Sequence, residues 1–282
     1  MSGPTGAASR RRVMIKASRG LRGINFRELW AYRWLILTLT ARHIQVRYAQ
    51  TLLGIGWAVV QPLVSTVIFT VIFAKFARIP SDGKPYQIFA LAALVPWTYV
   101  SSAVSAASGS LSASSAMVTK VYFPRLALPI SHILSTLIDF IIGFALLLFM
   151  MFWGGITPPT SNLAVIPLLV LAMMLTATGV SSVLAAFDIQ YRDVRHVVPF
   201  LLQVWMYTSP IVYPMSLVPQ RYRQFYILNP MAGIIEAFRS ILLGTTAVDW
   251  RALGMSVVIS VALCVIGTLV FRSRERIFAD VV

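Results

Sequence analysis

The sequence predicts an all-α integral membrane protein: six transmembrane helices, an N-terminal amphipathic interface helix, and short re-entrant external helices between spans five and six. Three observations predict it. Of 282 residues, 58% are hydrophobic and 12% are charged, whereas soluble domains carry roughly a quarter charged residues. Mean hydropathy is +0.78, and the few charges cluster between long uncharged runs. Several runs exceed the ~20 residues that a helix needs to cross a bilayer.

The elements follow in order. Residues 1–25 form a polar, basic tail with no short apolar segment and cleavage site behind it, so no cleaved signal peptide is expected. Residues 26–50 hold an apolar stretch broken by Arg33 and too short to span. There Trp30, Trp34, Leu37, Ala41, Ile44 and Tyr48 recur at helical spacing, with Arg27, Arg42 and Arg47 elsewhere. Such a helix lies in the headgroup plane with its tryptophans as anchors; the alternative is a helix packed on a neighbour.

The spans are expected at 53–76, 86–107, 132–153, 163–187, 197–213 and 252–271. The serine- and alanine-rich end of the second continues as a helix beyond the bilayer. Gly154-Gly155-Ile156-Thr157-Pro158-Pro159 supplies turn chemistry after the third. Residues 214–250 are too apolar for an external loop. A break at Asn229-Pro230 divides them into two short helices, and apolar helices too short to span belong inside protein at membrane depth.

Charge gives orientation. Seventeen of the 24 Lys and Arg fall on the side holding both termini, which the positive-inside rule makes cytoplasmic. The excess of basic over acidic residues (24 against 9) therefore reads as topology and contact with anionic lipid headgroups rather than nucleic acid. The chain divides into the cytoplasmic tail 1–25, the interface helix 26–50, the six-span domain 51–275 and the cytoplasmic tail 276–282.

Most catalytic chemistry is missing. There is no G-x-x-x-x-G-K-[ST] nucleotide loop, no H-E-x-x-H and no G-x-S-x-G. His43, His132 and His196 are scattered, and Cys264 is the single cysteine, so neither a metal site nor an intrachain disulfide is expected. Asp139 is the one acid well inside an apolar run. It serves either transport or pairing with a basic partner near the cytoplasmic end of its span. So few intramembrane ionisable groups leave an ion-driven carrier without its couplers, and the absence of a clear internal repeat speaks against inverted-repeat carriers.

Three stretches then carry a family resemblance. They are Arg42-His43-Ile44-Gln45-Val46-Arg47-Tyr48 with Leu53-Gly54-Ile55-Gly56-Trp57 and Gln61-Pro62; Lys120-Val121-Tyr122-Phe123-Pro124-Arg125; and Asp188-Ile189-Gln190-Tyr191-Arg192-Asp193-Val194-Arg195, continued by Ser209-Pro210-Ile211-Val212-Tyr213 and Leu228-Asn229-Pro230-Met231. In this order, over roughly residues 26–275, the chain resembles permease subunits of ABC-2 type exporters of O-antigen, capsular polysaccharide or teichoic acid precursors. His43 departs from the pattern, standing where relatives tend to carry an acid.

The resemblance implies a homodimer in a bacterial inner membrane, with two ABC ATPase subunits docked on the cytoplasmic face. It implies no cofactor in this chain; ATP and magnesium would be bound by the partner subunit. Lys120, Tyr122, Phe123, Pro124 and Arg125 would form a coupling helix in the ATPase, and Asp188, Tyr191, Arg192, Asp193 and Arg195 a second contact. Trp30, Trp34, Arg42, Arg47 and Tyr48 would belong to the interface helix. If spans one, two and five face the dimer axis, Trp57, Trp97, Tyr99, Trp205, Tyr207 and Tyr213 would line a conduit, since aromatic faces suit sugar rings. Asn229, Pro230, Glu236 and Arg239 would belong to an external gate.

The implied function is export of a lipid-linked polysaccharide by a transport subunit that is not itself an enzyme. The alternatives are an ABC-2 permease for a small lipid or drug, an integral membrane glycosyltransferase or polymerase, and a passive channel. The near-absence of acids and histidines on one face argues against an enzyme.

Overall fold

The structure, a computed structural model, describes residues 26–49, 51–191 and 193–275; the expected tails 1–25 and 276–282 and Arg192 lie outside them. Every regular element among the described residues is helical. Five helical stretches are long and apolar enough to cross a membrane: Gly54–Phe76, Tyr86–Ser108, Ala127–Trp153, Asn162–Asp188 and Trp250–Arg274. They match expected spans one, two, three, four and six within a few residues.

Near the chain start, α1 (Phe26–Ala31) and α2 (Arg33–Tyr48) are separated by one turn at Tyr32. Trp30 and Trp34 are 71% and 68% exposed, while Ile36 and Leu39 are buried against the bundle. One face of α2 thus packs on the bundle, the alternative weighed from sequence, while the tryptophans stay exposed. The first span begins with a 3-10 turn, Gly54–Gly56, runs as α3 (Trp57–Phe69) and ends in a π-helical stretch, Thr70–Phe76.

Packing centres on α4 (Tyr86–Ser108). Ala90, Leu91, Ala92 and Ala93 expose nothing, and their small side chains let α7 (Ala127–Trp153) and α8 (Ile166–Asp188) approach closely. Of the most apolar stretch, 78% is buried in α4 but only 17% in the first span. After α4 the chain kinks at Gly109 and Ser114 into α5 (Ser110–Ala113) and α6 (Ser115–Lys120), the expected helical continuation in broken form.

Between α8 and α12 (Trp250–Arg274) runs a seam of small residues. Gly179 and Gly267 meet so closely that a Cβ on either would strike the backbone of the other helix. Beside them Thr176 Oγ1 donates to Ser260 Oγ at 2.8 Å. Lipid is as apolar as leucine, so helices in it associate through such contacts and hydrogen bonds rather than by hydrophobic burial.

The fifth element departs from expectation. In place of a straight span over 197–213, α9 (Val194–Tyr207) stops after 14 residues, about 21 Å at 1.5 Å per residue and short of a ~30 Å hydrocarbon core. Turns follow around Pro210, which has no backbone N–H to extend the helix. Next, α10 (Gln220–Ile227) and α11 (Pro230–Leu243) bend by 105° at the expected break. Asn229 caps α11 through its side chain, Pro230 occupies the first turn, and Gly244, at φ 61°, ends it in the left-handed conformation. Apart from Glu236, α11 is buried throughout, against α4 and α12.

Candidate functional site

One end of the bundle gathers the stretches expected to meet an ATPase. Beneath it lies an apolar cluster holding Ile36, Leu39, Leu111, Phe123, Leu126 and Phe271. Phe123 is the buried plug of its segment, while Lys120, Val121 and Tyr122 are exposed. The expected coupling helix over Lys120–Arg125 is corrected here: α6 ends at Lys120, and the following residues turn. Pro124 has no N–H to donate and disfavours helical backbone at Phe123.

This turn is tied down from two sides. Arg125 donates to the Glu275 carbonyl, and Tyr122 Oη reaches Glu28 Oε1 at 3.5 Å. Arg272 of α12 pairs with Glu28 at 3.9 Å. Burial pushes the Glu275 carboxyl up, against the opposing pull of Arg125 and Arg272. Nearby, Asp188 is only 2% exposed; it accepts from Ser112 Oγ and, at 3.1 Å, from Arg195 Nε. Arg274 donates to Gln190 Oε1 and stacks over the Phe187 ring at 4.2 Å. Tyr191, Asp193 and Arg195 remain exposed. The end of α12 therefore braces both exposed segments, a role that sequence reading missed because Arg272 and Arg274 looked like topology signals.

A second polar site lies under α2. Asp139 of α7 accepts from Arg47 Nη1 and Tyr48 Oη, beside a cavity of about 320 Å³ edged by Trp57, Gln61, Thr98 and Tyr99. His43 and His132 stack at 3.7 Å between the same two helices, a pairing with no sequence signal. Burial first, then Arg42 and Arg47, pull the His43 ring below its usual range. Of the two readings of Asp139, the geometry provides the pairing. Replacing Asp139 with alanine leaves Arg47 without its carboxylate and should weaken α2 docking by about 1.5–3 kcal/mol, the range for hydrogen bonds to charged groups. Faster tryptic cleavage at Arg42 would report it, and exchanging the two residues (R47D with D139R) should restore part of the protection.

The six aromatics expected along a conduit differ in burial. Trp97 and Tyr99 are buried within the chain, because α4 is its central helix; Tyr99 borders the cavity beside Asp139. Trp97 meets Trp205 edge-on at 5.6 Å, and Tyr99 packs on Phe140. Trp57 and Tyr207 are more than half exposed. Tyr213 is half-buried, its Oη donating to the Tyr207 carbonyl at 3.3 Å.

Of the four residues expected at an external gate, Asn229, Pro230 and Arg239 hold the chain together here. Asn229 Oδ1 accepts from Trp205 Nε1 at 2.9 Å and from the Met231 amide at 3.1 Å, while its Nδ2 donates to Ser209 Oγ at 2.9 Å. One side chain thus joins α9, the following turn and α11, with Pro230 shaping the corner. Arg239 is 1% exposed and donates to the carbonyls of Phe89, Pro210, Ile211 and Tyr213. Glu236, one turn away, keeps Oε2 buried with no hydrogen-bond partner among the described residues.

No group of three or more His, Cys, Asp or Glu able to hold a metal ion occurs among the described residues. The arrangement defines a class: a multi-pass helical membrane protein with a buried central helix, loosely covered outer helices and a braced aromatic and basic end. The chain belongs to the ABC-2 type transporter family, which it matches over residues 35–243; it is a transport subunit and not an enzyme. It is similar to the O-antigen export system permease protein RfbA of Myxococcus xanthus, 28% identical over 257 residues covering 90% of this chain and 97% of that protein. A protein of the same name from Klebsiella pneumoniae is 25% identical, covering 88% and 94%. The polysialic acid transport protein KpsM of Escherichia coli is 20% identical, covering 84% and 92%.

Proposed function

We propose that this chain is the membrane permease of an ATP-driven exporter that moves a lipid-linked polysaccharide out of the cytoplasm. The observation that carries this reading is likeness along almost the full length to permeases named for O-antigen and polysialic acid transport. Two copies would form the conduit in a bacterial inner membrane, with both termini cytoplasmic. Two ABC ATPases would bind ATP and magnesium and seat against Lys120–Tyr122 and Tyr191–Arg195. The braced end supports that assignment, since a segment tied to α1 and to the end of α12 passes on a push that a free loop would absorb. Trp57 and Tyr207, the exposed rings of their set, are the conduit-lining residues in this reading.

Gentle purification of the tagged protein from its native membrane should bring down a stoichiometric ATPase carrying a nucleotide-binding loop, and deletion of the permease should abolish the surface glycan. A protein that emerges alone and conducts without nucleotide would overturn the proposal. Val121→Ala with Tyr122→Ala tests the coupling face without disturbing buried Phe123: export should fall severalfold while the protein remains folded.

A further inference from the structure

We infer that α10 and the turn before it form a carbohydrate-binding subsite on the far side of the membrane from the braced end, taking sugar rings of the glycan. This inference rests on the export reading above and adds a binding site to it. Tyr222, Phe225 and Tyr226 lie at i, i+3 and i+4, so they share one face of α10. With Tyr213, Leu217 and Pro219 they line an open hollow of about 370 Å³, within the ~300–1,000 Å³ of small-ligand sites.

Four of its seven lining residues are aromatic, and Phe225 is 60% exposed. The rings stand on a short helix that is otherwise mostly polar (Gln220, Arg221, Arg223, Gln224). The polar atoms select what lands. Tyr213 gives its proton to the Tyr207 carbonyl, so the 2.7 Å contact between the Tyr213 and Tyr226 hydroxyls has Tyr226 donating. Both phenol oxygens keep lone pairs for incoming hydroxyls. Arg221 lies over the Tyr222 ring at 4.6 Å, and Arg223 Nε donates to the Val218 carbonyl at 3.0 Å, fixing the turn that closes the cavity.

No carboxylate lines the cavity, so neutral and acidic sugars are equally admitted. Aromatic rings for C–H groups, with phenol acceptors beside them, are complementary to a pyranose, which is apolar above and below and polar around its edge. An acyl chain would leave those acceptors unused. Tyr213 also links the cavity to exposed Tyr207 on α9, so the site continues the candidate conduit rather than standing apart from it.

The test uses the full permease with its ATPase in cells. The double variant Tyr222→Ala with Phe225→Ala should assemble with the ATPase at the wild-type level yet lower surface glycan about tenfold, equivalent to about 1.4 kcal/mol; Tyr222→Phe, which keeps the ring, should export normally. Independently, p-benzoylphenylalanine at position 225 in the otherwise unaltered protein should photocrosslink to material that anti-glycan antibody detects. Crosslinks confined to phospholipid would make these rings membrane-interface anchors and overturn the subsite. So would normal export by the double variant while permease deletion abolishes the glycan, which overturns the subsite alone. A deletion strain with unchanged surface glycan would overturn the export reading and the subsite with it.

Discussion

Replacing Arg239 with alanine is expected to cost more stability than any other single change among the gate residues. Its guanidinium is the clasp of the turn after α9: it satisfies four backbone carbonyls from α4 and from residues 210–213 and lies over the Phe89 ring at 3.7 Å. Alanine removes every donor at once. Two orphaned buried carbonyls alone cost on the order of 2–6 kcal/mol, against a total stability of about 5–15 kcal/mol for a typical domain. The variant should be recovered from membranes in low yield with a markedly lower Tm. Arg239→Lys should fall between, since an ammonium cannot reproduce the planar fork that reaches carbonyls on two elements. A wild-type Tm for the alanine variant would show that the turn holds without its clasp.

Gly179→Ala should also be strongly destabilising, and here the sign decides. In a helix free of close neighbours, alanine is favoured over glycine by about 1 kcal/mol. At Gly179 the added methyl would enter the backbone of α12 at Leu263 and Cys264, forcing the seam open at about 1–3 kcal/mol or more. Gly254→Ala, on the same α12 but with nothing within 4 Å of its Cβ, is the control and should be neutral or stabilising. Thermal unfolding of the two purified variants separates them, and equal Tm values would mean that the seam is looser than its geometry.

Five spans were legible because lipid imposes one rule, a long run without charge, and the sequence states it openly. The break at Asn229-Pro230 was equally legible, since a cap residue followed by proline has local consequences whatever surrounds it. The fifth span was drawn too long: residues 197–213 are apolar enough, but the helix stops at Tyr207, ahead of Pro210. Burial was hidden for a different reason. The rule of uncharged runs asks only whether a helix can span, and it ignores that α4 is the least apolar of the five long helices. This is why Trp97 and Tyr99 were placed along an axis and lie instead inside the chain. Long-range partners were hidden likewise. Arg47 and Asp139 are 92 positions apart, and the stacking of His43 on His132 joins residues with no shared motif.

The contrast between buried α4 and uncovered first span also sets where movement is cheap. Tilting α4 would break contacts with every neighbour at once, so it can turn only as an axle carries a wheel, with the whole protomer. The stretch Gly54–Phe76 can lean outward while uncovering little, and its π-helical end has already given up regular α-helical pairing. A protein built this way keeps its shape through the middle and changes it at the rim, so in the proposed dimer a passage between two copies would widen as its first spans part.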